Sequence, residues 1–217
     1  MNSNIRYRIL AAEDELEASK LLKDVFDSRA PVTTFVRQNS EIKYDYIPEK
    51  SVSEFSKQQL SLVCEDISQS IGERIVGINI CSKLEFNESV DEDDLLCCFL
   101  KQVIGEWLHL HPELQRNELS HKVFHIEYLA VKDGYENLGI ATQLMIESLK
   151  LAKQNNFQIV LVEAFGHRSQ RIFGEKLKFK QLNSLAYENF VFKGKKIFNG
   201  LKNPREIVVY EKNLDSF

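Results

Sequence analysis

The period of the hydrophobic positions changes along the chain, and each change marks an element. Ile5 to Leu10 alternates polar and apolar residues, the pattern of a half-buried strand. Glu13 to Phe26 then repeats at helical spacing, with Leu16, Leu21, Leu22, Val25 and Phe26 on the inner side. Asp27-Ser28-Arg29-Ala30-Pro31 ends that helix, because proline disfavours helical backbone in the residue before it. From 31 to 59 no period is sustained, so the segment reads as irregular, with Phe35, Tyr44 and Tyr46 as apolar anchors and a short helix at 52–59. Leu60 to Glu65 and Arg74 to Lys83 form two strands joined by SQSIGE, a hairpin in which Gly77 marks a bulge or a close backbone approach. An acid-rich stretch, Glu85 to Asp94, precedes a long apolar helix from Leu95 to Leu110 that carries Trp107.

The pattern is densest from Val123 to Leu151. VFHIEYLAV is rich in β-branched and aromatic residues and predicts a strand buried on both faces. A polar turn, KDGYENLG, leads into Ala141, Leu144, Met145, Ser148, Leu149 and Ala152, one buried helical stripe. QIVLVEA (158–164) predicts a buried strand parallel to the first, joined through the intervening helix. Arg168 to Lys176 reads as a short helix and Phe179 opens another strand. Turn chemistry follows at Lys193-Gly194-Lys195, and Glu206 to Lys212 is a closing strand. A glycine turn feeding a helix leaves backbone N–H groups at the positive end of the helix dipole, a geometry suited to a pyrophosphate; a plain strand–turn–helix connection has the same pattern.

Composition narrows the classes. The 217 residues suit one α/β domain, 1–217, and 43% hydrophobic with 28% charged residues is ordinary for a soluble globular chain. A net charge of −4 argues against nucleic acid as the main partner. No apolar run approaches the ~18 residues that a membrane span needs, and MNSNIRYRIL lacks the apolar core of a signal peptide, so a cytoplasmic protein is expected. Cys64, Cys81, Cys97 and Cys98 have no metal-ligand spacing and read as reduced core thiols. No metal site is suggested. The acid-rich stretch is either a solvated loop whose Asp93 and Asp94 cap the next helix, or a field that attracts a cationic amine.

ENLGIA resembles the acetyl-CoA signature Gln/Arg-x-x-Gly-x-Gly/Ala of the GCN5-related N-acetyltransferases (GNAT), with Gly139 and Ala141 on its last two fixed places and Glu136 where Gln or Arg stands. SQRIFGEKLKF and NFVFKGKKIFNGLKNPREIVVYEK are similar to stretches of the arylalkylamine branch, especially its insect dopamine-type members. The resemblance implies an α/β (α+β) fold with a central mixed, mostly antiparallel sheet, a splayed parallel strand pair and flanking helices. It also implies acetyl-CoA as co-substrate. Leu129, Ala130 and Val131 would bind pantetheine, and Glu136, Asn137, Leu138, Gly139, Ile140, Ala141 and Thr142 the pyrophosphate.

The reaction implied is direct attack of a primary amine on the thioester. An alkylamine of pKa ~10 is mostly protonated near neutrality, and deprotonation costs roughly 4 kcal/mol, so a base is valuable. His125 and Glu127 stand two apart on one strand and share a face. By resemblance they occupy the place of a His-x-His pair and are candidate catalytic groups, the alternative being a structural pair. Two family groups have no counterpart: the Glu before the proline reads Ala30, and the Tyr acid aligns with Gly174. Tyr187 is then a candidate proton donor. The acceptor reads as a small arylalkylamine or polyamine, with a protein amine or a non-catalytic CoA-binding module as alternatives.

Overall fold

The computed structural model describes residues 4–42, 51–87, 89 and 91–215. Its frame is one seven-stranded sheet: β1 (Ile5–Ile9), β2 (Leu62–Asp66), β3 (Ile75–Lys83), β4 (Val123–Val131), β5 (Ile159–Ala164), β6 (Lys180–Ala186) and β7 (Glu206–Asn213), in spatial order β1-β2-β3-β4-β5-β7-β6. Every neighbouring pair is antiparallel except β4 and β5. The parallel pair is joined by α6 (Ile140–Gln154), as a crossover connection requires. This is the GNAT fold that the resemblance implied.

The helices cover both faces. On one side lie α1 (Glu15–Arg29), α2 (Pro31–Asn39), α3 (Ser51–Ser56) and α4 (Leu95–His109), over a core that includes Trp107, Phe99, Leu161 and Val209. On the other lies α6, whose Met145, Leu149 and Ala152 pack on Phe124, Ile126 and Val160. A one-turn helix, α5 (Leu119–Lys122), leads into β4, and α7 (His167–Gln170) runs on as a wider π-helical turn to Lys176. Among the described residues no helix is long and apolar enough to cross a membrane.

Several expectations need correcting. The segment 31–39 is helical: Pro31 sits at the first position of α2, where its missing N–H costs nothing, and Val32 and Val36 bury one face. Pro31 thus ends α1 and starts α2, with Ala30 extended between them (ψ 118°). Leu16 is 86% exposed, and the inner stripe of α1 is Ala18, Leu21 and Leu22. Cys64 and Cys81 are core thiols, but Cys97 is exposed and Cys98 half-buried. Asp94 caps α4 by accepting from the Cys97 N–H at 2.8 Å. Tyr44, Tyr46 and Glu88 lie outside the described residues.

Gly77 combines the two expectations placed on it. The β2–β3 register shifts beside its partner Cys64, and a Cβ on Gly77 would stand 2.6 Å from Ile140 Cγ2 and 3.2 Å from Leu144 Cδ1. The sheet therefore lets the start of α6 seat directly on its backbone. Replacing Gly77 with alanine is expected to push α6 outward and destabilise the protein by about 1–3 kcal/mol; urea unfolding checks this, and a loss under about 0.5 kcal/mol would contradict the close seating.

Candidate active site

The site begins where β4 and β5 part. Their ladder pairs Val123 with Ile159 through Ile126 with Val162 and then stops. Beyond it β4 continues for five residues, four of them paired with β3, and β5 for two paired with β7. The facing backbone groups of Glu127–Val131 and Glu163–Ala164 are left without a strand partner between them. A bulge accompanies the parting: Ile80 pairs with Tyr128 and Cys81 with Ile126, so Glu127 is the extra residue on β4. The bulge resets the alternation. Tyr128 and Ala130 join the α1 side with Val123, while Leu129 and Val131 turn to the α6 side.

A cavity of about 650 Å³ opens at this split. Its walls come from the end of α1 and start of α2, the ends of β4 and β5, the β4–α6 turn, α7 and the cis-bonded Asn203-Pro204. Of the expected cofactor residues, Leu129, Ala130, Val131, Glu136, Asn137, Gly139, Ile140, Ala141 and Thr142 line it. Leu138 does not and is 67% exposed.

The turn has the build of an anion cradle. Asn137 (φ 61°) and Gly139 (φ 84°) are both left-handed, the alternation that gathers successive N–H groups into a concavity. Gly139 is the N-cap of α6 and offers no side chain to its first N–H groups, which stay available to a ligand. No atom lies within 4 Å of a Cβ placed on Gly139, so the constraint there is conformational, not steric. Acetyl-CoA fits these features: an open strand edge for pantetheine and a helix N-terminus for the pyrophosphate.

At the inner end lies a buried charged relay. His125, 6% exposed, places Nδ1 2.9 Å from Glu127 Oε1 and Nε2 2.7 Å from Glu163 Oε2. Both ring nitrogens meet carboxylate oxygens, an arrangement that favours a proton on each and hence the imidazolium. Burial pulls its pKa down, but Glu127 and Glu163 outweigh burial and hold it well above the usual 6.5. Burial likewise raises the Glu127 carboxyl, while His125 and the Ser82 hydroxyl, which donates at 2.6 Å, bring it below the ordinary value. Glu127 and Glu163 line the cavity, and Glu163 Oε1 is buried without any hydrogen-bond partner.

The sequence reading missed Glu163. Its signal was present: a lone carboxylate in the otherwise apolar strand QIVLVEA has to be paired or used. Tyr187 is not brought to the relay. Its hydroxyl donates to the Phe165 carbonyl at 2.8 Å, its ring sits in the core with Phe99 and Phe198, and it does not line the cavity. Ala30 lines the cavity without a titratable group. A Cβ on Gly174 would lie 3.0 Å from the Tyr210 hydroxyl, which fills the space of the absent side chain.

An acyl-CoA cradle on a split mixed sheet defines the class: an acetyltransferase. Residues 60–179 match the model of the acetyltransferase (GNAT) family, and the chain belongs to that family. It is an N-acetyltransferase whose acetyl donor is acetyl-CoA. Among solved structures, a mosquito arylalkylamine N-acetyltransferase-like 5b aligns over 96% of this chain and 99% of its own at 18% identity, with TM-score 0.75. Arylalkylamine N-acetyltransferase 2 of Aedes aegypti aligns over 98% and 100% at 18% identity, with TM-score 0.72. A Drosophila melanogaster polyamine N-acetyltransferase, which forms N-acetylagmatine, aligns over 96% and 99% at 15% identity, with TM-score 0.66. At these identities the likeness concerns the fold. No curated protein matches the chain.

Two outcomes follow from this geometry. Replacing Gly139 with valine forces a β-branched residue into the left-handed region at a cost of roughly 1–2 kcal/mol, so the cradle opens and acetyl-CoA affinity falls at least about tenfold; unchanged affinity by calorimetry would sink the cradle assignment. The relay also sets a pH signature. The raised imidazolium contributes stability in full below its unfolded value and loses it as pH rises through the folded one; lowered Glu127 contributes above its unfolded value and loses it as pH falls. Wild type is expected to exceed His125→Gln by about 3–5 kcal/mol near pH 6, with the gap shrinking on the alkaline side. A gap that widened from neutral to alkaline pH in urea titrations would contradict an imidazolium.

Proposed function

We propose that the protein transfers the acetyl group of acetyl-CoA to a small arylalkylamine by direct attack, with the Glu127–His125–Glu163 relay managing the acceptor's proton. The observation that carries this reading is the relay's place, buried at the parting of β4 and β5 where a thioester held along the β4 edge would lie. The acceptor enters as an ammonium. Glu163 Oε1, the unpartnered carboxylate oxygen, binds it and accepts its proton, while the imidazolium fixes the other Glu163 oxygen. The freed amine attacks the carbonyl, and a main-chain N–H near Leu129 steadies the developing oxyanion. The adduct then collapses with cleavage of the C–S bond: of the two protons the nitrogen has lost, one leaves on the CoA thiol and the other passes from Glu163 to solvent.

The character of the wall favours an aromatic monoamine over a polyamine. Phe26, Pro31, Val32, Phe165 and Pro204 offer an apolar surface next to the two carboxylates. A polyamine needs a second anionic group along its length, and among the described residues the only other carboxylate on the wall, Glu136, is already paired with Arg29. The acid-rich stretch does not serve: none of its described residues lines the cavity, Asp94 caps α4, and Asp93 pairs with Lys193.

Thiol release from acetyl-CoA is the test, with phenethylamine and tyramine against spermidine and agmatine. Turnover is expected for the aromatic amines, and Glu163→Gln is expected to lower kcat by about 10²–10⁴-fold with the acetyl-CoA dissociation constant unchanged. Preferential turnover of a polyamine would overturn the acceptor class. Binding without turnover of any amine would favour a CoA-binding module, and an undiminished kcat in Glu163→Gln would remove the relay from the reaction.

A further inference from the structure

The mouth of the cradle poses an electrostatic problem. Glu136 stands in the turn that faces the phosphates, Asp133 lies close by, and neither charge suits a pyrophosphate. The charge that answers them comes from another element. Arg29, the last residue of α1, places Nη1 2.6 Å from Glu136 Oε1 and 3.1 Å from Asp133 Oδ1, and Nη2 donates to the Val131 carbonyl at 2.6 Å. Its Nε is buried and has no partner. Arg29 lines the same cavity as Asn137, Gly139, Ile140 and Thr142. A guanidinium has five N–H donors. Glu136 and Asp133 face Nη1 and Val131 takes one Nη2 donor, so one Nη2 N–H and the Nε N–H remain for a further acceptor.

We propose that Arg29 is the phosphate-binding cation of this site, held in place by Glu136 and presented from α1 to the pyrophosphate of CoA. The inference rests on the assignment of the cavity to CoA. Glu136 then has a use that its sign alone would not suggest. Its Oε2 accepts from the Gly134 N–H at 2.7 Å, so the carboxylate is itself fixed and in turn fixes the guanidinium. Arg29 also bonds the last carbonyl of β4, so α1, the sheet edge and the cradle meet on one side chain. A guanidinium suits this place because it offers two phosphate oxygens a fork while still bonding a carboxylate on its other edge.

The competing account is a structural staple that tethers α1 to the turn without touching the cofactor. Calorimetry with two ligands separates the two. CoA carries the phosphates and pantetheine does not. If Arg29 binds phosphate, Arg29→Ala weakens CoA by about tenfold or more and leaves pantetheine affinity within twofold. Arg29→Lys, which keeps the charge and the fold, recovers part of the loss, and the salt dependence of CoA binding flattens in Arg29→Ala. Glu136→Gln keeps an amide oxygen for the guanidinium and removes a negative charge beside the phosphates, so its CoA affinity stays far closer to wild type than that of Arg29→Ala. Equal losses for CoA and pantetheine, or a Glu136→Gln defect as large as that of Arg29→Ala, would establish the staple and overturn the proposal, as would unchanged CoA affinity in Arg29→Ala. Failure of wild type to bind CoA at all would instead overturn the cofactor assignment beneath it.

Discussion

The interruption of the β4–β5 ladder is the constraint on which the rest depends. A sheet gains by pairing every backbone group, and these two strands give up pairing after Ile126 and Val162 although both run on. At that point each presents a carboxylate, Glu127 and Glu163, on the face shared with His125. Two buried carboxylates repel, and the cost is met by placing an imidazolium between them. The bulge at Glu127 supplies the extra residue that brings both side chains to the ring. The opening that results is of the right kind for a strand-like ligand, because its two walls are unpaired main chain and its floor is charged.

The two ends of the cavity differ in sign. The floor carries two carboxylates on one imidazolium, a net negative centre that suits an incoming ammonium. The mouth carries Arg29, Arg168, Arg171 and Lys176 with Glu136 among them, a net positive rim that suits an anion. Acetyl-CoA is polarised in the same sense, with phosphates at one end and the reacting thioester at the other.

Much of this was legible in the sequence wherever the signal was local. The stripe on α6, the glycine turn before it, the hairpin of β2 and β3 and the cap at Asp94 each depend on residues within a few positions of one another. What escaped depends on distant partners. Helix α2 is hidden in the sequence because the one proline that ends α1 also opens the next helix. Glu163 and Arg29 owe their importance to neighbours 38 and 107 residues away in sequence. The bulge at Glu127 is invisible in alternation alone, because it breaks the period by one residue inside a strand that is apolar on both faces.

The two family groups that this chain lacks fit the same picture. At Ala30 the backbone is extended, a single residue between two helices, so a base there would hang from that junction. At Gly174 the Tyr210 hydroxyl already occupies the space, and a larger side chain would have to displace a ring packed against Phe173. The proton handling proposed for β4 and β5 avoids both difficulties. Glu163 is fixed by its ladder to β7, Glu127 by the Ser82 hydroxyl, and both by His125 between them, so in the proposed reaction little ordering remains to be done. A rigid base is useful where the acceptor must lose a proton and attack within one bound geometry. Such a site loses reach, since a base on strands cannot follow the substrate as one on a helix junction can. In the proposed reaction the acceptor therefore comes to the floor of the cavity, a requirement that a slender amine with one charged end and an apolar body would meet.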